Sequence, residues 1–296
     1  MKVTALITNY NSSELTRRCV GSCLELESNL LQSVIVVDDA STEPLELAEN
    51  SLVHVIRNEG NLGLVRSLNV GMKATDSDIV VIFDADAYPL APFVEKVSDY
   101  FASDPLLAAL AFRTVETQGR PTASSEREPR QASLLLGQAL HARWSSFAGR
   151  LGMLPRGLCI YTCAMAIRRS IFEQLGGFDE AFDWLDFDND LSMRINRSKY
   201  SLFVADDLLA YHVGSGTFQK PSARVLRHYK NRWLLLTKFN LIKNKGLIRS
   251  VVLCRLQAEL LILRGFGPVI HIPKDSLLDK IEGRQAIISM VKECYR

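Results

Sequence analysis

The sequence predicts an α/β fold: a mostly parallel sheet flanked by helices, with a helical C-terminal extension. Three observations predict it. Short apolar runs rich in β-branched residues alternate with helix-like segments through residues 1–105, the pattern of a parallel sheet covered on both faces. Polar clusters stand where three of those runs end, at Thr8-Asn9-Tyr10-Asn11, Asp38-Asp39-Ala40-Ser41 and Asp84-Ala85-Asp86. From Ser222 onward the periodicity turns helical to the end, interrupted by GFGPVIHIP at 265–273.

Taken in order, residues 3–8, 34–38, 53–57 and 79–83 read as strands, and 13–28, 43–50, 63–74 and 91–103 as helices or short crossovers. A further strand is expected at 107–115. The TQGRPTASSEREPRQAS that follows has turn formers and charges but hardly a large apolar residue, which predicts a mobile loop over 116–135. Residues 159–167 form a strand or a helix and lead into RRSIFEQLGGFDEAF, where Gly176 and Gly177 stop a short helix. The most acidic stretch of the chain, DWLDFDND, precedes a strand expected at 202–205. No internal repeat is evident. The expected division is a domain of residues 1–220, with halves at 1–105 and 106–220, and a helical extension at 221–296.

The 296 residues suffice for one large α/β domain with an appendage or for two small domains. With 47% apolar and 23% charged residues, disordered and fibrous classes are excluded. The net charge of +2 says little about partners, but its distribution says more: eleven Lys or Arg lie between Lys220 and Arg264, against Glu259 as the single acid. Such a block favours anionic partners. The apolar run of the N-terminus is too short for a signal-peptide core, so a cytoplasmic location is expected. Neither Cys19/Cys23 nor Cys159/Cys163 has the CxxC spacing of zinc sites, and the six cysteines are expected to be buried free thiols. Residues 251–263 are apolar but short of the ~20 needed to span a bilayer. Packing against the catalytic domain and a peripheral contact with an anionic membrane both accommodate them.

Asp84 and Asp86 raise a sharper question. In an extended segment, side chains two apart share a face, which sets these carboxylates roughly 7 Å apart at the mouth of a strand. Capping a helix or making a turn would explain a lone pair of this kind. Three polar strand ends in one alternating segment, however, converge on a single crevice beyond the carboxyl ends of the strands. There two anions repel unless something positive joins them, and hard oxygen ligands suit Mg2+ or Mn2+.

The stretches ITNYN, VVDDAST, RNEGNLGLVRSLNVGM, FDADAYP, GGFDEAF followed by DNDL, and YHVGSGT occur in this order. In this the chain resembles the family-two glycosyltransferases of the GT-A fold, over about residues 1–240, and most of all bacterial members that extend cell-surface glycans, rhamnosyltransferase-like proteins among them. The resemblance implies an inverting, metal-dependent transfer of a sugar from a UDP- or dTDP-linked donor to a hydroxyl of a glycan or lipid-linked acceptor. It implies that residues 1–105 hold the nucleotide sugar and 106–220 the acceptor and the base. Thr8 and Asp39 would then contact base and ribose, beside Asn9, Tyr10 and Asp38. Asn61, Gly63 and Arg66 would frame the donor, Asp86 with Asp84 would approach ribose and metal, and His212 would be a further metal ligand. Nucleic acid is not an expected partner.

Sugar transfer needs the leaving diphosphate neutralised and the acceptor hydroxyl deprotonated. The general base is expected from residues 183–191. Relatives read there as an acid pair, one residue, then Asp-Leu; aligning Asp190-Leu191 with that ending makes Asp188 the base. Phe187 stands where the first acid is usual, so Asp186 remains a substitute. Asp190 is expected to cap a helix beginning at Leu191, and Trp184 to stack on a sugar ring. Neutral imidazole at His212 slightly favours manganese. Arg224, Arg227, Lys230, Asn231 and Arg232 supply charge to a phosphate or form an exposed basic helix face. Two rival classes stand beside this one: a sugar-nucleotide nucleotidyltransferase, against which the glycine-free TNYNSSEL counts, and a non-catalytic carbohydrate-binding relative.

Overall fold

A computed structural model of the protein describes residues 1–136, 157–212, 221–266 and 273–295. Grouped by contacts, the chain forms two compact units, one of Met1–Glu128 and Gly157–Gly216, the other of Pro129–Arg156 and Thr217–Arg296.

The first unit is built on an eight-stranded sheet. Strands β1 (Val3–Asn9), β2 (Ser33–Asp38), β3 (Val53–Arg57) and β4 (Ile79–Phe83) run parallel, in the order β3-β2-β1-β4. β5 (Ala87–Pro89), β6 (Leu107–Val115), β9 (Ala164–Arg168) and β10 (Ser201–His212) complete it as β4-β9-β6-β10-β5. β9 is antiparallel to both its neighbours, and β5 is antiparallel to β10. The sequences of β2 and β4, SVIVVD and IVVIF, are buried along their whole length, as strands covered on both faces must be.

Helix α1 (Ser13–Glu27) turns Cys19, Val20 and Cys23 inward, and α2 (Leu64–Lys73) turns Val65, Leu68 and Met72 inward. Phe83, Phe93 and Phe112 meet edge to face at 5.7 to 5.9 Å. Phe93 stands just before α3 (Val94–Ser103), and the buried Glu27 carboxylate accepts the Phe93 and Val94 amides at the start of that helix. Fully burying each such side chain stabilises the fold by about 1.5–3 kcal/mol.

Several expectations need correction. Of the helix or short crossover expected at 43–50, the residues form the crossover and no helix. Leu45 and Leu47 both reach the core, and two residues at a spacing of two share a face only in extended chain. The segment after β6 is not a bare loop: Val115 bridges to Pro121, and β7 (Ser125–Arg127) pairs antiparallel with β8 (Leu158–Ile160). Residues 158–168 therefore hold two strands, β8 and β9. The strand expected at 202–205 extends over twelve residues, kept in the sheet by a register shift between Ala205 and Leu209. Gly176 and Gly177, with φ of 86° and 74°, end helix α4 (Arg169–Gln174), as their lack of a Cβ permits.

The second unit contains α6 (Pro221–Lys238), α7 (Lys245–Phe266) and α8 (Lys274–Cys294); α5 belongs to the acidic segment described below. Its core gathers Tyr229, Trp233, Val252, Leu256, Ile287 and Tyr295, with Trp233 and Tyr295 stacked at 3.8 Å. The helices break at 239–244 as well as at the expected interruption, most of which lies outside the described residues. All six cysteines are free, yet Cys254 and Cys294 are exposed, contrary to expectation. Among the described residues no helix is long and apolar enough to cross a membrane.

Candidate active site

Parallel registry sets the ends of β1, β2 and β4 side by side, with Asn9 opposite Asp38 and Ile7 opposite Phe83. Asn9 and Asp38 are fully buried there. Asn9 Nδ2 donates to Asp38 Oδ1 at 2.8 Å and to Ser41 Oγ at 3.0 Å, while Arg57 donates to Asp38 Oδ2 and to the Ser41 carbonyl. These two side chains face one another, and what they offer a ligand is the loop shape they hold. Asp39 grips the next loop: its Oδ1 accepts from Asn58 Nδ2 at 2.9 Å and from the Leu62 amide at 2.8 Å, and its Oδ2 accepts from the Gly63 amide at 2.8 Å. Gly63, at φ 85°, turns the chain into α2. Thr8 is half-buried, whereas Tyr10 and Asn61 are exposed beside this loop. Arg66, in the first turn of α2, pairs with Glu180 at 3.4 Å.

The acids after β4 do not lie in extended chain. The Ala87 amide donates to the Asp84 carbonyl at 2.9 Å, closing a reverse turn, and the Asp84 amide donates to the Cys163 carbonyl at 3.1 Å. β5 then pairs with β10 so that His212 stands opposite Ala87. Tyr88 and Tyr211 stack at 4.8 Å beneath the Arg18 guanidinium, which strengthens that pairing. The result is a triad: one ligand atom each of Asp84, Asp86 and His212 lies within 4.8 Å of the others, with His212 Nε2 at 3.6 Å from Asp86 Oδ1. Burial, and after it the Asp86 charge, push the Asp84 carboxyl up to about 6, with His212 opposing. Two carboxylates and an imidazole fit a divalent cation, whose charge would remove the repulsion that raises Asp84.

The acidic segment begins with Asp186 in the left-handed region at φ 66°, which starts helix α5 (Phe187–Asn196). Asn189 Nδ2 donates to Asp186 Oδ1 and to Glu126 Oε1, both at 2.7 Å, and the Asn189 amide donates to Asp188 Oδ1 at 2.8 Å. Asp188 is half-buried. Burial first, then the Asp186 charge and more weakly that of Glu126, push its carboxyl up to about 8, against the Asn189 amide. Asp190 does not cap a helix at Leu191, because α5 starts earlier; it lies inside the first turn and receives Arg194 Nε at 2.8 Å. Arg194 also donates to the carbonyls of Leu175 and Gly177 and so ties α5 to the glycine turn.

Cys163 connects the two acid groups. Its carbonyl accepts the Asp84 amide, and after burial the charges of Asp84, Asp188 and Asp86 all raise its thiol. A Cβ on Gly63 would stand 3.9 Å from the Asp183 carbonyl, which brings the Asp39-held loop to the same acidic segment. Glu126 is the site residue that sequence reasoning missed; nothing local marks it, because Asn189 lies far along the chain. Trp184 is half-buried. On α6, Arg224 and Lys230 are exposed, but Asn231 and Arg232 are buried and so cannot serve an open phosphate face.

The family model described as glycosyl transferase family 2 matches residues 4–176, more than half of the chain. The O-antigen chain rhamnosyltransferase RfbN of Salmonella typhimurium is 28% identical over 194 residues, 61% of this chain and 56% of its own length. The chain thus spans little more than half of that relative. An uncharacterized glycosyltransferase of Haemophilus influenzae is 24% identical over 71% of this chain and 67% of its own. Among solved structures, a mannosyltransferase of Pyrobaculum calidifontis in complex with GDP-Man and Mn2+ superposes with a TM-score of 0.56 at 15% identity, covering 99% of this chain and 87% of that one. GalNAc-T7 with UDP, GalNAc and Mn2+ gives a TM-score of 0.55 at 16% identity, over 72% and 44%. These likenesses fit the GT-A fold, and the match at the level of sequence settles the kinship: the chain belongs to glycosyl transferase family 2.

Proposed function

We propose that this protein moves a sugar from a nucleoside-diphosphate sugar, UDP- or dTDP-linked, to a hydroxyl of a glycan or lipid-linked saccharide, with inversion at the anomeric carbon. The observation that carries the reading is the meeting of the Asp84–Asp86–His212 triad and Asp188 around Cys163. A divalent cation held by the triad, Mn2+ or Mg2+, would neutralise the departing diphosphate as a Lewis acid. Asp188 receives the acceptor's proton as the hydroxyl oxygen bonds to the anomeric carbon and the bond to the diphosphate breaks, its electron pair leaving with the diphosphate. A carboxyl held at about 8 has the basicity for that task near neutral pH. Asp186 is the weaker candidate, since it is buried and already engaged by Asn189. Thr8, Tyr10 and Asn61 line the donor side, and the Asp39 carboxylate keeps the loop that carries Asn61 in place.

The rhamnosyltransferase relative supports a role in cell-surface polysaccharide synthesis, and the manganese in both superposed transferases supports the cation. The test is thermal unfolding with nucleoside diphosphates, with and without Mn2+. A ligand at about a hundred times its dissociation constant stabilises by about 2.7 kcal/mol, so a manganese-dependent rise in midpoint with UDP or dTDP is expected. No shift with any nucleoside diphosphate would refute the reading.

A further inference from the structure

Helix α7 reverses the usual arrangement of a surface helix. Between Gly246 and Leu263 its charged residues are Arg249, Arg255 and Glu259, and all three turn toward the rest of their unit. Arg255 donates to Glu259 at 2.6 Å and to the Tyr229 hydroxyl, Arg284 reaches Glu259 at 2.9 Å, and Arg249 donates to the Lys292 carbonyl. Solvent meets Leu247, Val251, Cys254, Ala258, Leu261 and Ile262 instead, with the uncharged Ser250 and Gln257 beside them. Leu247 is 59% exposed, Leu261 70% and Ile262 54%. From Leu247 to Leu261 the spacing runs four, three, four, three, so these residues share one face of the helix, about 21 Å long at ~1.5 Å per residue. Exposed cations stand at both ends, Lys243 and Lys245 before the stripe and Arg264 after it.

We propose that this face is a membrane contact and that its partner is a lipid surface with anionic headgroups, on which α7 lies in the interfacial plane. An uncharged stripe with cations only at its ends suits a boundary where acyl chains adjoin phosphates. A second copy of this chain fits worse. Antiparallel pairing about Cys254 sets Leu247 against Leu261 but brings Lys245 up to Arg264 at both ends, and parallel pairing sets each cation on itself. The excess of Lys and Arg between Lys220 and Arg264 adds to that repulsion.

The experiment is co-sedimentation of the full-length protein with vesicles of phosphatidylcholine alone and with added phosphatidylglycerol. Binding is expected only with phosphatidylglycerol and is expected to be lost at high salt. Leu261→Glu/Ile262→Glu should weaken it at least about tenfold, and Lys243→Glu/Lys245→Glu by about the same factor. All four side chains are exposed, and an unchanged unfolding midpoint verifies the fold. Failure of the wild type to sediment with anionic vesicles, equal binding to neutral ones, or wild-type binding by either variant overturns the proposal. So does a wild-type dimer in sedimentation velocity that Leu261→Glu/Ile262→Glu dissociates, which would give the face to a second copy. The proposal stands apart from sugar transfer: manganese-dependent stabilisation by nucleoside diphosphates is expected to be equal in wild type and variants, so either idea can fail alone.

Discussion

Two groups of acids flank Cys163, and they are built differently. Asp84 and Asp86 share a tight turn with an imidazole at hand, and His212 opposes the rise of the Asp84 carboxyl. Asp188 has around it two further carboxylates and an amide, and its carboxyl is displaced further, to about 8. The same residue type is thus prepared for two tasks. The first group is short of positive charge by an amount a dication supplies; the second holds a carboxyl whose affinity for a proton is high. Environment, rather than residue identity, separates the proposed metal ligands from the proposed base.

The strongest challenge to that division is Asp86→Ala. Loss of one of the three proposed ligands should abolish manganese-stimulated transfer and remove the manganese-dependent part of nucleoside diphosphate binding, measured by calorimetry. Asp188→Asn should leave that binding nearly intact while turnover drops about 10²–10⁴-fold, the usual contribution of a general base. If both substitutions impaired binding alike, the two groups would be one site and the distinction would fail. Near-normal turnover in Asp188→Asn would return the base to Asp186.

Titration sharpens the contrast. Both carboxyls rise from the ~3.9 of an unfolded aspartate, so between that value and the folded one the native state binds more protons than the unfolded state. Their contribution to stability is present below about pH 4 and is lost as pH rises, by about 6 for Asp84 and by about 8 for Asp188. Metal-free wild type should therefore lose stability from pH 4 to 8, and Asp188→Asn should flatten the part between 6 and 8. Added Mn2+ should counter the loss that belongs to Asp84, and the metal's affinity should fall below about pH 6 as that ligand takes a proton. The rate of transfer should rise with pH toward 8, where Asp188 ionises.

Much of this was legible in the chain. Apolar runs such as IVVIF can only be buried, and strand–helix alternation orders the polar ends along one edge of the sheet. What local pattern cannot carry is a partner remote in sequence. Ser125–Arg127 is polar and short, and becomes a strand only because residues 158–160 pair with it. The same pairing carries Glu126 to Asn189. Asp190 has the look of a helix cap in isolation, but Arg194, one turn on, takes its carboxylate inside the helix. Asp84 and Asp86 were legible as a pair, whereas the closeness of their carboxylates depends on the reverse turn and on a register between β5 and β10 that no local spacing reveals.

The smallest effect is the most discriminating, and it concerns Glu126. Glu126→Gln keeps a side-chain oxygen to accept Asn189 Nδ2 but removes a negative charge that helps raise Asp188. Because Asp186 and burial act more strongly, the Asp188 carboxyl should fall by only a fraction of a unit. The rise of transfer rate with pH should then move to lower pH, with a change of about twofold at neutral pH, since about 1.4 kcal/mol accompanies each full unit. The unfolding midpoint should stay close to that of wild type, because the hydrogen bond survives. Glu126→Ala, which removes the acceptor as well, should lower the midpoint and loosen the Asn189 side chain from Asp186. A purely structural Glu126 predicts the reverse for Glu126→Gln: an unmoved pH profile whatever happens to stability. A full pH–rate curve of this one variant therefore decides whether the β7 strand merely packs beside α5 or helps set the basicity of the carboxyl proposed to take the proton.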